Sequence, residues 1–386
     1  MTNPGGETLW FLIATSLLML VLVGVALFYG GMVRRKNVLN TIGMPFSALA
    51  VASLVWLCVG DRILYGGDET GSLRAVHHAL MASLSLGLIA GGIVERVRFS
   101  FFLAFGALWI LLVYGPVASW LWAGGWLTKL GSLDYAGGAV VHLSAGVTAL
   151  VAAIVLGTRR GYGRNEMLPS HLPFSFLGVG LMWAGWFGMT VGPGPVSMTI
   201  VTTAFVAIQL SAASAALTWM VAEWLQREKP TALGMGSGLV AGLVAISPAA
   251  GYVSPVSAVV IGTGAGGLCY MAVNYVKLIL GYDDSLDVFG MHGVGGAWGM
   301  VATGLFASTE ANPDGSDGLF FGYPYQFFAQ LVSTVVVAAF AGGMSFLSLK
   351  GLRLVLSPRV DEQAEIFGLD LAQHGEKGFV AHGHYS

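Results

Sequence analysis

The stretch DVFGMHGVGGAWGM, Asp287 to Met300, holds one histidine, His292, among glycines and apolar side chains, with no charged residue after Asp287. A soluble core and a lipid-embedded helix would use such an imidazole differently, so its surroundings decide how it is read. The chain has 386 residues, 55% hydrophobic and 10% charged, with a mean hydropathy of +0.75. Soluble domains carry about a quarter charged residues, so water is not the main solvent here. The 56 glycines suit helices that approach closely inside a membrane. A formal charge of −2 gives no basis for nucleic-acid binding. Cys58 and Cys269 lie in separate apolar runs without ligand spacing, and read as small buried hydrophobes rather than a metal site.

Outward from that stretch, the chain divides into apolar runs that reach the about 20 residues a bilayer crossing needs. Eleven are expected: 7–31, 39–60, 75–95, 100–123, 138–157, 172–191, 197–223, 231–249, 254–277, 287–307 and 325–349. The first is too long for a signal peptide, lacks a basic start, and is followed by Arg34-Arg35-Lys36, a stop-transfer flank. No segments alternate over roughly ten residues, so a β-barrel is excluded. If the N-terminus is outside, the inward loops and tail hold every Lys and Arg of the 18 except Arg62, Arg74 and Lys129. Basic residues favour the cytoplasmic side, which fixes an N-out, C-in topology. The fold class is therefore all-α and polytopic, with a membrane domain over 1–355 and a polar tail over 356–386.

Runs one to five (about 7–157) and six to ten (about 172–307) pair as two halves, with run 325–349 left over. Each half has an odd number of spans, so the second is inverted, and inverted repeats place a site at their interface near the bilayer midplane. The last helix of each half reads alike: DYAGGAVVHLSAG (134–146) and DVFGMHGVGG (287–296), an aspartate, small residues, then one histidine. His142 and His292 are the candidate pair, with Asp287 echoing Asp134. Ionisable groups inside spans are costly and mark a pathway, a relay or a ligand. A single histidine could equally satisfy a nearby carbonyl and lock packing; two at matching positions argue for a shared site. Two facing imidazoles can share one proton and still offer a donor or acceptor to a small polar guest. Bis-histidine haem ligation would need a macrocycle-sized cavity, whereas Gly137, Gly138, Gly293, Gly295 and Gly296 argue for close helix contact. No P-loop, Gly-x-Ser-x-Gly, His-Glu-x-x-His or Rossmann fingerprint occurs, and no cofactor or enzymatic activity is expected.

These segments resemble the Amt/Mep/Rh family of ammonium transporters, and the Amt branch closely. The resemblance rests on ALFYGGMVRRKNVLN (26–40), DYAGGAVVH (134–142), DDSLDVFGMHGVGG (283–296), LGTRRGYGR (156–164) and GLDLAQHGE (368–376), and spans essentially the whole chain. It implies a homotrimer in the cell inner (plasma) membrane, with one pore per subunit and a twin-histidine pair in each. It further implies that His142 and His292 pass deprotonated ammonium, alone or with its proton, and that Asp134 supports an outer recruitment site. Asp134 also reads as the N-cap of its helix. Trp122 matches the vestibule tryptophan, over whose ring a cation gains roughly 0.5–2 kcal/mol.

The outer half departs from the family pattern. Of the two stacked phenylalanines usual below the vestibule, one falls on Phe205 in TTAFVAIQ and the other on Met81. His77-His78 stands where an aromatic–glutamine pair is expected, and reads as exposed vestibule or interface. MTVGPGP (189–195) stands where an asparagine is usual, and Gln209 where a small hydroxyl often contributes. These departures keep two functions open: a transporter that binds NH4+ and conducts NH3, and a sensor that binds ammonium and signals to a cytoplasmic partner with little flux. The tail, by resemblance, docks on the inner face against a neighbouring subunit, where a PII-type regulator or a signalling module would act.

Overall fold

The computed structural model describes residues 4–64, 72–191 and 197–379; among these it is helical, with no strand beyond an isolated bridge between Val97 and Arg359. Each of the eleven apolar runs coincides with a helix. These are α1 (Pro4–Met32), α2 (Val38–Val55, prolonged by a π-helical turn Trp56–Gly60) and α3 (Leu73–Ile93). α4 runs Phe99–Trp109, π turn Ile110–Tyr114 and Gly115–Leu121; α5 is π turn Gly138–Leu143 followed by Ser144–Leu156. α6 (Leu172–Val191), α7 (Met198–Arg227) and α8 (Ala232–Ile246) follow. α9 is Pro255–Met271, π turn Ala272–Val276 and Lys277–Leu280; α10 is π turn Phe289–Gly293 and Val294–Phe306; α11 is Pro324–Leu352.

Nine helices among the described residues are long and apolar enough to cross a membrane. α8, with 15 residues, and the glycine-rich α10 fall short of that standard. Both are largely enclosed by other helices rather than by lipid, so neither needs an apolar surface all round.

The two halves use one packing scheme. α1 and α2 pack on α3, α2 on α4, and α3 on α5; in the second half α6 and α7 pack on α8, α7 on α9, and α8 on α10. The halves meet along α1–α6 and α5–α10, the first and last helices of each. At the first seam Gly24 and Gly178 face each other: a Cβ at Gly178 would lie 2.5 Å from Gly24 O, and one at Gly24 2.7 Å from Gly178 O. Small residues let backbones approach, the usual route to helix association in lipid. Four of the five π turns respect the pairing too, in α4 and its counterpart α9 and in α5 and its counterpart α10; the fifth, in α2, has no partner in α7.

At the end of the bundle that carries the tail, a buried ion cluster joins both halves. Glu95, just past α3, accepts from Arg34 Nε (2.9 Å), Asn37 Nδ2 (2.7 Å) and Arg159 Nη1 (2.8 Å). Arg159 also forks onto Asp283, with Nη2 2.7 Å from Oδ1, and Arg96 donates to Asp283 O and Ser285 Oγ. Burial alone would raise the Glu95 carboxyl; Arg159 and then Arg34 outweigh it and hold it at about 2. The tail folds back over this face as two short helices, α12 (Glu362–Phe367) and α13 (Leu369–His374). Leu369 N donates to Asn37 Oδ1, Asn40 N to Asp370 Oδ1, and Phe99 N to Gln373 Oε1, so it docks on its own chain's α1–α2 and α3–α4 loops.

Candidate functional site

Asp134 starts α5. Its Oδ1 accepts from the amides of Gly137 (3.0 Å) and Gly138 (2.6 Å), and its Oδ2 from those of Ala139 (2.9 Å) and Val140 (3.0 Å). A helix leaves its first amides without partners, and one buried carboxylate takes up this whole set. Gly137, at φ +95°, makes the turn that aims them. In α10 the matching residue is Asp284, whose Oδ2 accepts from Phe289 N at 2.6 Å. Asp134 precedes His142 by eight residues, and Asp284 precedes His292 by eight.

The expected echo at Asp287 is therefore corrected. Asp287 occupies a left-handed turn (φ 61°) just before α10, and its carboxylate pairs with Lys277 Nζ at 2.6 Å. A residue in that turn points away from the first amides of the helix, which leaves the cap to Asp284.

The π turns of α5 and α10 carry the histidines, and each histidine is followed four residues later by a glycine that receives the other helix. A Cβ at Gly296 would lie 2.7 Å from Gly138 O and 2.9 Å from Leu143 N; a Cβ at Gly146 would collide with Gly293 and with the carbonyl carbon of His292. This contact brings His292 Nδ1 to 3.3 Å from His142 Nδ1, with the ring centroids 5.3 Å apart and the planes within 23° of parallel. Trp186 lies parallel to His142 (5.2 Å, 9°) and donates through Nε1 to Ser247 Oγ at 3.1 Å.

Ser247 sets the direction of the pair. Its hydroxyl has one proton, and the shorter of its bonds, 2.9 Å to Leu243 O, takes it. Ser247 Oγ is then free to accept from His142 Nε2, 3.4 Å away, an arrangement in which the His142 proton is on Nε2 and its Nδ1 is the acceptor. In that arrangement His292 donates through Nδ1 and its Nε2 keeps a lone pair. A neutral pair so arranged presents a proton acceptor at one outward corner.

Trp122 is held by Nε1 donating to Asp134 O at 2.8 Å, and its ring lies 5.6 Å from His78. His77 and His78 are not exposed, contrary to expectation. His77 is 2% exposed, bonded through Nδ1 to Thr15 Oγ1 (3.2 Å) beside Phe11; His78 is half-buried between Trp56 and Trp122. Their helix packs against α1, α2 and α5, and the exposed side chains at that level are Arg74 and Val76 rather than the histidines. Met81, three residues on, is fully buried.

Phe205 does not stand opposite Met81. It is 49% exposed, stacked on Phe187 at 4.2 Å, and Gln209 one turn on is exposed as well. α7 turns Ala204, Ala207 and Ile208 inward, so its register points Phe205 away from the bundle. Met189 is the buried side chain three residues past Trp186. Sequence reading missed Trp186 and Ser247 beside His142 and Asp284 at the start of α10; the spacing of eight before His292 was the available signal for Asp284. In the unusual 189–195 segment, residues 192–195 lie outside the described ones.

The model of the Ammonium Transporter Family matches residues 9–379. The chain belongs to that family. It is 42% identical to the ammonium transporter of Bacillus subtilis, over 97% of this chain and 98% of that one. It is 39% identical to ammonium transporter Amt1 of Archaeoglobus fulgidus, over 97% and 99%. Among solved structures, Candida albicans Mep2 matches at TM-score 0.86 and 30% identity, over 96% of this chain and 90% of that one. A sensor Amt protein matches at 0.86 and 26%, over 95% and 98%. Transport of a solute across a membrane, rather than catalysis, is the activity of the family to which these histidine helices belong.

Proposed function

We propose that this family member is an ammonium transporter that takes NH4+ from the outer vestibule and passes NH3 between His142 and His292. The observation that carries the reading is the 3.3 Å contact between the two Nδ1 atoms, polarised by Ser247. In this mechanism NH4+ rests over the Trp122 ring, a gain of roughly 0.5–2 kcal/mol, enough to favour it without trapping it. The Asp134 carboxylate is filled by four amides, so it acts on the cation through its field, not as a ligand. NH4+ loses one proton before entering the apolar section, and the lone pair of His292 Nε2 receives an N–H of the NH3 that remains. The proton either returns outside or follows through the pair.

Met81 and Met189 form the barrier above the histidines in this reading. Both are buried, and each follows by three residues a ring that bounds the route: His78, beside Trp122, and Trp186, on His142. Flexible thioethers close a narrow passage without offering an aromatic face. The proposal includes eleven spans with the N-terminus out, a transport domain over 1–355, a homotrimer in the cell inner membrane, and a regulator of PII type at the tail face.

Ammonium-dependent current in proteoliposomes, measured with charge moved per ammonium, is the test; His142→Ala should abolish it. A second reading, an ammonium sensor, is favoured by the likeness to the sensor Amt protein and by the thioether barrier. Ammonium binding with no flux of either the charged or the neutral species in the intact protein would replace the first reading by the second.

A further inference from the structure

NH4+ must give its proton to a base before it enters the apolar section, and the groups around Trp122 limit the choice. The Asp134 carboxylate already accepts from four amides, two on each oxygen, so its lone pairs are spent. His78 is in ring contact with Trp122, the centroids 5.6 Å apart and the planes at 48°. A ring holds a cation within about 6 Å of its centroid, so an ion on Trp122 comes within reach of His78.

The surroundings of His78 suit a base that is charged only in passing. Trp56 lies beside it at 6.1 Å, and Tyr114 Oη donates to its carbonyl at 3.3 Å. His77 stands edge-on to it (6.4 Å, 84°), with Nδ1 spent on Thr15 and Nε2 buried without a hydrogen-bond partner among the described residues. A buried polar atom left unmet is costly, so packing alone does not account for two adjacent imidazoles here. Two imidazolium charges this close would repel, so the pair holds one added proton at a time. The charged groups whose fields reach His78 are Arg74 on its own helix, which opposes a positive charge, and Asp61 just past α2, which favours one. Of the other helices packed on α3, α1 faces the pair with Thr15 and Phe11, α4 with Tyr114, and α5 has Asp134 behind Trp122.

We propose that His78 is the base that takes the proton from NH4+ held at Trp122. One N–H bond of NH4+ breaks, its electron pair stays on nitrogen to give NH3, and the proton bonds a ring lone pair of His78. A neutral imidazole keeps one such pair. The apolar rings around it disfavour NH4+ more than NH3, which favours the transfer where the base stands. NH3 moves on past Met81, three residues further along α3 and fully buried. The imidazolium hands its proton to water and is a base again. The inference rests on the transport reading and names the proton acceptor within it.

Uptake of isotope-labelled ammonium into proteoliposomes tests it, at fixed total ammonium over a range of pH and corrected for protein-free vesicles. His78→Gln keeps a hydrogen-bonding side chain that takes no proton. It should cut uptake about 100-fold at neutral pH and below, the low end of what a positioned base contributes. The deficit should close as pH rises toward the pKa of ammonium itself, where NH3 arrives already formed. His78→Ala should show the same pattern. Imidazole added outside should restore its uptake at neutral pH, and pyrazole, a ring of the same size and far weaker basicity, should not. A proportionate loss at every pH in both variants, total loss included, would overturn the proposal and leave His78 a packing residue. Equal rescue by the two rings, or no change in either variant, would overturn it too. These outcomes leave the transport reading intact as long as the intact protein takes up labelled ammonium; if it takes up none at any pH, that reading fails and this inference with it.

Discussion

The crossing of α5 with α10 and the ion cluster at the tail end both join the first half of the chain to the second, yet they are built from opposite materials. The crossing uses glycines, two facing imidazoles and helix caps, with no ion pair among the described residues. The cluster uses Glu95, Arg34, Arg96, Arg159 and Asp283, all but Arg34 buried. Depth accounts for the difference. At the level of the histidines a charge would be surrounded by hydrocarbon and packed helices, so the halves associate by backbone approach. Near the membrane face, loops can supply enough donors to satisfy every charge, and a buried network becomes tenable.

The cluster is where the contrast breaks most readily. Glu95→Gln removes the charge that two arginines face, and breaking one member of a buried pair costs about 3–5 kcal/mol. Thermal unfolding in detergent should record that loss. Glu95 is held at about 2 against an ordinary 4.5, so its contribution is fully present above about 4.5 and drains away as pH falls toward 2. The wild-type protein should lose stability across that window, and Glu95→Gln should flatten the slope there. An unchanged slope would mean that Glu95 is not the group whose protonation loosens the halves.

The crossing should respond to bulk rather than pH. Gly146→Ala places a methyl against the Gly293 backbone, where no flexible side chain can yield. Overpacking of this kind costs about 1–3 kcal/mol. It should also part the histidines and sharply reduce ammonium flux. Gly343→Ala, on a face of α11 where a Cβ meets nothing within 4 Å, is the control and should leave both stability and flux alone. Equal tolerance at the two glycines would show that the Nδ1 contact does not depend on close approach.

The helices were legible because run length and basic punctuation are compositional, and both survive without knowledge of neighbours. The histidine pair was legible because it repeats. The π turns were not, since they re-register hydrogen bonds of the same residues and leave no compositional mark. Phe205 was chosen by residue type within a familiar segment, but its azimuth on α7 depends on which neighbours cover the helix. Ser247 escaped because it lies in a plain loop, ISPAAG, and matters only through what the fold brings to it. Asp287 attracted attention because it stands first in the stretch that resembles 134–146. Distance measured back from the histidine, rather than likeness read forward, selects Asp284.

That last distinction yields the smallest and most discriminating test. Asp284 is fully buried and caps α10, so Asp284→Asn should cost about 0.5–2 kcal/mol, the range for a weakened N-cap. Asp287 is partly exposed, and its pair with Lys277 lies near the surface. Asp287→Asn should therefore cost less than about 1 kcal/mol, as such pairs do, and fade with added salt. Asp134→Asn should behave like Asp284→Asn if the two halves start their histidine helices in the same way. Unfolding midpoints of the three variants, compared at low and high salt, would separate a cap repeated in both halves from an ion pair found in one. If Asp287→Asn proved the most damaging and salt left its effect unchanged, the start of α10 would depend on the turn at Asp287, and the symmetry of the crossing would end at the histidines.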